Sequence, residues 1–218
     1  SEAFPRPEDA YAAAASAGTF VEEGSVGTGT GATVGKLLGR DGMMKGGIAL
    51  STVEVGGGAT VSALTVVNAL GDVLDERGEV LAGARQDGAF VGSKDVLLSM
   101  CGTPAFGAVE STTLSVVMTD ARLDKLQCSI VARMSHDGLA RAIDPVHTPV
   151  DGDCVFVLAT GAKDGNVFQV GVAAAEAVSR SIRRAVRQAR GLGGAPSVSD
   201  LAGGEGSAVN PMNAADIL

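Results

Sequence analysis

A mixed α+β fold is predicted for this 218-residue chain, on three observations. Ile48 to Val55 and Thr60 to Val67 are apolar, β-branched runs parted by Gly56-Gly57-Gly58, which reads as two strands and a turn. Two further apolar runs open on polar side chains: Ser111-Thr112-Thr113 leads into Leu114 to Thr119, and His147 to Asp153 leads into Cys154 to Ala159. Finally, Val167 to Arg190 places Val170, Ala174, Val178, Ile182, Ala185 and Val186 on one helical face, with the arginines mostly elsewhere.

Composition narrows the possibilities. Hydrophobic residues make up 45% of the chain but aromatics only 3%, with no Trp and 31 Gly. Such a core brings backbones close together and has few bulky side chains with which to shape a pocket. The length suits one domain spanning 1–218. A formal net charge of -8 argues against a nucleic-acid partner, because phosphate neutralisation needs a basic face. The basic run from Arg180 to Arg190 reads as the solvated side of its helix. Cys101, Cys128 and Cys154 have no metal-ligand spacing, and their odd number fits a reducing compartment. No apolar run is long enough for a bilayer, and the start shows no signal-like pattern. The expectation is a cytoplasmic protein without metal, cofactor or membrane. Low aromatic content with positive mean hydropathy points to apolar surface for subunit contact, and a homotetramer is expected.

In chain order, Glu8 to Ala17 is alanine-rich and predicts a short helix stopped by Gly18. Gly24 to Lys36 is glycine-punctuated. Its Gly27-x-Gly29-x-x-Ala32 spacing matches a dinucleotide fingerprint only loosely, with no clear strand before it, so a turn-rich loop is the better reading. Lys45 stands before Gly46-Gly47 and the first strand. Asn68 ends the second, where an amide either forms a turn or serves as a placed donor. Gly71 to Asp87 reads as loop, with a hairpin around Glu76-Arg77-Gly78. Ser93 to Met100 reads as a short helix, and Gly102 to Val109 as an irregular linker where a chain could be cut. From Ala121 to Ile143 apolar residues recur at helical spacing, and Ser135-His136-Asp137-Gly138 is expected to interrupt or bend that helix. His136 and Asp137, being adjacent, point apart on a helix and read as structural. Gly191 to Leu218 reads as an ordered-to-frayed tail, and no internal repeat is apparent.

A threonine hydroxyl is a weak nucleophile until a base takes its proton. If the peptide bond before it is broken, its own α-amine, with a pKa of about 8, can be that base. Ser111-Thr112 at a strand mouth satisfies this need for a small preceding residue. Asp151 and Asp153, two apart, point the same way if they lie on a strand, and two close carboxylates cannot both ionise easily. Read from spacing alone, Asp151-Gly152-Asp153 is equally well a solvated turn.

These stretches resemble the L-aminopeptidase/D-esterase family, which includes the nylon-oligomer endo-hydrolases. The resemblance rests on Ser111 to Ala121, on Ser135 to Gly161, on Met44-Lys45-Gly46-Gly47 and on Leu64 to Gly71, and it covers the chain from about Tyr11 to the Val167 helix. It implies a four-layer α/β/β/α sandwich related to the ornithine acetyltransferases, and cleavage of the chain before a Thr or Ser that becomes an N-terminal nucleophile. By motif, Thr112 matches the nucleophile, Asn68 the oxyanion-side amide, Lys45 the active-site lysine, and Asp151 with Asp153 the acidic pair. Cleavage between Ser111 and Thr112 would divide the chain into 1–111 and 112–218. This chain has Ser111 where many relatives have Asn. Relatives also carry roughly a hundred further residues ahead of Tyr11, which leaves room for a separate N-terminal chain or fragment. The resemblance implies an amide hydrolase acting on small peptides or ω-amino-acid oligomers. An acyltransferase of the ornithine acetyltransferase type, or an uncleaved non-catalytic scaffold, is the alternative.

Overall fold

The computed structural model describes residues 5–100 and 111–202. In chain order it comprises helix α1 (Pro7–Ala15), strands β1 (Thr33–Val34), β2 (Met44–Lys45), β3 (Gly47–Glu54) and β4 (Thr60–Val67), and the short strands β5 (Asp72–Leu74), β6 (Val80–Ala82), β7 (Arg85–Gln86) and β8 (Ala89–Phe90). Helix α2 (Ser93–Ser99) follows, then β9 (Leu114–Ala121), α3 (Lys125–Ala140), β10 (Ile143–Asp144), β11 (Cys154–Lys163), α4 (Val167–Gln188) and α5 (Val198–Ala202).

The central sheet has the order β11-β9-β4-β3. Its three later-paired strands are explained by local sequence. Gly57 and Gly58 take the positive φ that the β3–β4 hairpin needs, and the antiparallel register runs from Gly47 opposite Val67 to Glu54 opposite Thr60. β9 pairs antiparallel with β4 and parallel with β11, with Leu114 opposite both Val66 and Cys154. A parallel neighbour requires a crossover, and α3 supplies it. Asp124 caps α3 by accepting from Gln127 N–H at 2.8 Å while the Gln127 side chain returns to Asp124 N–H at 2.9 Å.

Helices α3 and α4 lie together on one face of the sheet, α4 against β3 and β4 and α3 against β11. Strand alternation matches this covering. Val61, Ala63, Val67 and Val117 are buried with Val178, Ile182 and Val186 of α4 in one cluster. Three hydroxyls in that core satisfy one another: Thr65 Oγ1 lies 2.9 Å from Ser115 Oγ and 2.7 Å from Ser181 Oγ. The residues between them on the strands face the other way. There Leu114 is 43%, Phe156 56% and Leu158 58% exposed.

Two expectations are revised. α3 runs unbroken through Ser135 to Gly138: Ser135 Oγ donates back to Val131 O at 2.8 Å, and a Cβ on Gly138 would stand 2.3 Å from Ala175 O. Gly138 is there for close approach of α3 to α4, not for a bend. The segment from Gly71 to Asp87 contains β5, β6 and β7 as well as its turn, where Gly78 has φ +86° and Asp75 N–H donates to Glu79 O. The start of the expected tail carries α5, and Pro196 O accepts from Lys45 N–H at 2.8 Å. The linker from Gly102 to Val109 and Cys101 lie outside the described residues. No described helix is long and apolar enough to cross a membrane.

Candidate active site

Topology brings the sequence-predicted residues to one end of the central sheet. β9 and β11 are parallel, so Thr112 and Asp151 to Asp153 precede neighbouring strand starts. β4 runs the opposite way, so Asn68 follows its last residue at that same end, and Lys45 lies just ahead of β3. Asp151 forms an isolated parallel bridge with Ser111, and the strand proper begins at Cys154.

Thr112 is held from both sides. Its N–H donates to Asn68 O at 2.8 Å, and its Oγ1 donates to the carbonyl oxygen of Ser111 at 2.6 Å. The same Ser111 oxygen accepts from Gly152 N–H at 2.8 Å. The hydroxyl therefore sits against the carbonyl of the peptide bond that precedes it, and a main-chain donor already points at the oxygen where negative charge would develop. A side chain at position 152 would press on the threonine, since a Cβ there would stand 2.7 Å from Thr112 Oγ1 and would shift that hydroxyl. On either side, the buried Ser111 Oγ and Thr113 Oγ1 have no hydrogen-bond partner among the described residues.

The two aspartates organise the backbone around Thr112 and do not contact its hydroxyl. Asp151 accepts from Leu70 N–H at 3.3 Å and from Thr148 N–H and Oγ1 at 3.1 and 2.6 Å. Asp153 accepts from Thr113 N–H at 2.8 Å on one oxygen and from His147 on the other.

Lys45 and Asn68 take positions that motif matching did not specify. The Lys45 ammonium is buried and donates to Thr30 O and Ala32 O, both at 2.8 Å; burial pushes its pKa below the ordinary lysine value. It braces the loop at Ala32 and forms no ion pair with Asp151 or Asp153 among the described residues. The lysine that reaches Asn68 is Lys36, whose Nζ donates to Asn68 Oδ1 at 2.7 Å and Asn68 O at 3.2 Å. Thr33 N–H donates to the same Oδ1 at 3.1 Å. Asn68 thus grips Thr112 through its main chain, and the donor seen on the Ser111 carbonyl is Gly152.

Gly152 and Lys36 are the residues that sequence reasoning passed over. Gly152 stood between two aspartates as a turn-former. Lys36 closed a glycine-rich stretch and is buried, an uncommon state for lysine that no local pattern signals. A cavity of about 280 Å³ adjoins the threonine, lined by Thr28, Gly31, Ala32, Val66, Asn68, Thr112 and Leu114. A larger cleft of about 810 Å³ lies between Phe20 to Val26 and the end of α4, and none of the candidate residues lines it. The smaller cavity is therefore the one that the candidate residues Asn68 and Thr112 line.

The family model for peptidase family S58 matches residues 2–198. The chain belongs to that family. It is 35% identical over 219 residues to an uncharacterized aminopeptidase of Mycobacterium tuberculosis, covering 90% of this chain and 62% of that protein. It is 26% identical over 111 residues to the 6-aminohexanoate-oligomer endohydrolase of Paenarthrobacter ureafaciens, covering 48% of this chain and 30% of the relative. Among solved structures, the PH0078 protein of Pyrococcus horikoshii OT3 aligns over 87% of this chain and 52% of its own, with a TM-score of 0.59 at 24% identity. A Burkholderia β-aminopeptidase aligns over 84% of this chain and 53% of its own, with a TM-score of 0.56 at 25% identity. The L-aminopeptidase D-Ala-esterase/amidase of Ochrobactrum anthropi, described as a variant of the Ntn hydrolase fold, gives a TM-score of 0.53 at 23% identity over 81% of this chain and 47% of its own. The chain thus spans between 30% and 62% of the length of these proteins, and it shares its mixed α+β fold with the solved structures.

Proposed function

We propose that this chain carries the reaction centre of a self-processing amide hydrolase with Thr112 as its N-terminal nucleophile. The observation that carries the reading is the Ser111 carbonyl oxygen, gripped at 2.6 Å by Thr112 Oγ1 and at 2.8 Å by Gly152 N–H. In the self-cutting step Thr112 Oγ1 bonds to the Ser111 carbonyl carbon, and the transient oxyanion is met by Gly152 N–H, with the Asn68 amide as the further candidate donor. The C–N bond then breaks, and the hydroxyl proton ends on the new Thr112 amine. Water adds to the resulting ester, releasing Ser111 as a carboxylic acid and restoring the hydroxyl. The freed amine, next to Asn68 O, is the base for later turnovers. Each turnover passes through an acyl ester on Thr112, formed by loss of the substrate's amine and cleared by water.

Substrates of this site are small peptides or ω-amino-acid oligomers, a choice supported by the names its relatives carry. Asp151 and Asp153 hold the strand starts and manage the site's protons, while Lys36 braces Asn68 and Lys45 braces the loop from Thr30 to Ala32. The exposed apolar face of the central sheet is the surface against which the second sheet of a four-layer α/β/β/α sandwich packs, and assembly of the whole protein into a homotetramer is expected; light scattering tests that state. The deciding experiment is intact mass and N-terminal sequencing of wild type and Thr112→Ala, alongside hydrolysis of an amino-acid anilide. The expected outcome is a wild type in two pieces, 1–111 and 112–218, and an uncut, inactive Thr112→Ala. A wild type that remains one chain yet hydrolyses amides would overturn the role of Thr112.

A further inference from the structure

Two histidines lie outside the machinery just described and are joined to it by a continuous set of hydrogen bonds. Thr113 N–H donates to Asp153 Oδ1 at 2.8 Å. On the other carboxylate oxygen, Oδ2, the contacts are His147 Nδ1 at 2.8 Å and His147 N–H at 3.3 Å. His147 Nε2 then lies 3.3 Å from His136 Nδ1 on α3, with the ring centroids 4.8 Å apart. The Asp153 side chain is only 4% exposed, so its oxygens must be met by protein donors more than by water.

Proton positions follow from the chemistry of the acceptor. A carboxylate only accepts, so His147 carries its proton on Nδ1. In the neutral imidazole its Nε2 is then an acceptor, to which His136 donates from Nδ1. The Thr113 N–H and the His147 ring and main-chain N–H thus converge on the Asp153 carboxylate. His147 takes a left-handed backbone with φ 54°, uncommon for a non-glycine residue. That turn presents both its ring N–H and its main-chain N–H to a single oxygen. The pair of ring nitrogens is not a metal site by this reading, because the described residues bring no third ligand.

We propose that His147 is a positioning residue for the reaction at Thr112, acting through Asp153, and that His136 fixes the tautomer of His147. The proposal rests on the reading of Thr112 as nucleophile. The Thr113 N–H belongs to the peptide that joins Thr112 to Thr113, so Asp153 holds the nucleophile's main chain from its C-terminal side. Asn68 O and Gly152 N–H hold it from the other side. Without the His147 ring donor, Asp153 can rotate away from Thr113, and displacements of about 1 Å at a reacting group cost on the order of 100-fold in rate.

The test compares wild type, His147→Ala, His147→Asn and His136→Phe as full chains. The measurements are the rate of cleavage by intact mass, kcat and KM on an amino-acid anilide, and imidazole tautomers by ¹⁵N NMR. His147→Ala is expected to lower both the cleavage rate and kcat by roughly 10- to 100-fold with little change in KM. His147→Asn should recover most of that loss, since its side-chain amide can donate from nearly the position of Nδ1, and His136→Phe should lose less than His147→Ala. An unchanged kcat in His147→Ala, or an Asn variant no better than Ala while both fold as wild type by circular dichroism, overturns the proposal. An uncut and inactive wild type overturns the reading of Thr112 instead. In that case the tautomer decides the link by itself: Nδ1–H on His147 upholds it, and Nε2–H overturns it.

Discussion

The two faces of the central sheet obey the same alternation but meet different surroundings. On β9, Ser115, Val117, Thr119 and Ala121 are buried, on the side of the strand that faces the helices. Leu114, Val116 and Met118 point to the other side, as do Phe156 and Leu158 of β11, and there the larger side chains are about half exposed. The covered face is lined by small residues, Ala49, Ala63 and Ala121 among them, because helices pack close against it. The open face carries the bulkier Leu, Met and Phe. The candidate cavity belongs to the open side, where Val66 and Leu114 line it together with Thr112. Rigidity therefore comes to the site from behind, through the helix-covered face, while the wall in front of Thr112 is the less enclosed one.

Substitutions sharpen that contrast, beginning with the largest expected effect. Ile182→Ala, on α4 in the fully buried cluster, should cost about 2–5 kcal/mol in denaturant unfolding through lost contacts and a cavity. At the border between the faces, Asp151→Asn or Asp153→Asn should slow hydrolysis by at least ~100-fold, as general acid–base groups contribute, with the fold intact. Unchanged turnover in both would remove the pair from the mechanism. Leu158→Ala, on the open face and 58% exposed, should change the stability of this chain alone by less than about 1 kcal/mol. A cost as large as that of Ile182→Ala would mean the face is covered in solution.

The smallest effect is a pH dependence. Burial, and then the neighbouring His147, hold the His136 pKa below its ordinary 6.5. The unfolded chain takes up this proton first. The stability contributed by neutral His136 is therefore present above pH 6.5 and lost as pH falls through the lower folded-state value. Unfolding curves of wild type against His136→Phe between neutral and mildly acidic pH should show the loss in wild type alone.

Much of this architecture was legible because period and punctuation agreed. The β3–β4 hairpin shows alternating apolar residues about a Gly56-Gly57-Gly58 turn, and α4 shows a single apolar stripe. Legibility failed where one residue type serves two purposes. Gly138 looked like a helix breaker and is instead the contact point of α3 with α4. Gly152 looked like a turn between two acids and is also the main-chain donor on Ser111. Lys36 and Lys45 are both buried lysines near strand ends, and motif matching picked Lys45, whereas only the folded chain brings Lys36 to Asn68. Residues such as these meet partners more than thirty positions away in the chain, which no local pattern encodes.

The position of β9 has a consequence for what a cut at Ser111–Thr112 leaves behind. β9 begins the downstream piece, yet its rungs from Leu114 to Thr119 are hydrogen-bonded to β4 of the upstream piece on one edge and to β11 of its own piece on the other. α4, also downstream, lies across β3 and β4. Such a break would fall on a seam stitched from Leu114 to Thr119, and the severed chain would behave as a split protein whose halves complement each other. Separately expressed 1–111 and 112–218 should each be unfolded alone and reassemble on mixing, with a free threonine amine already in place.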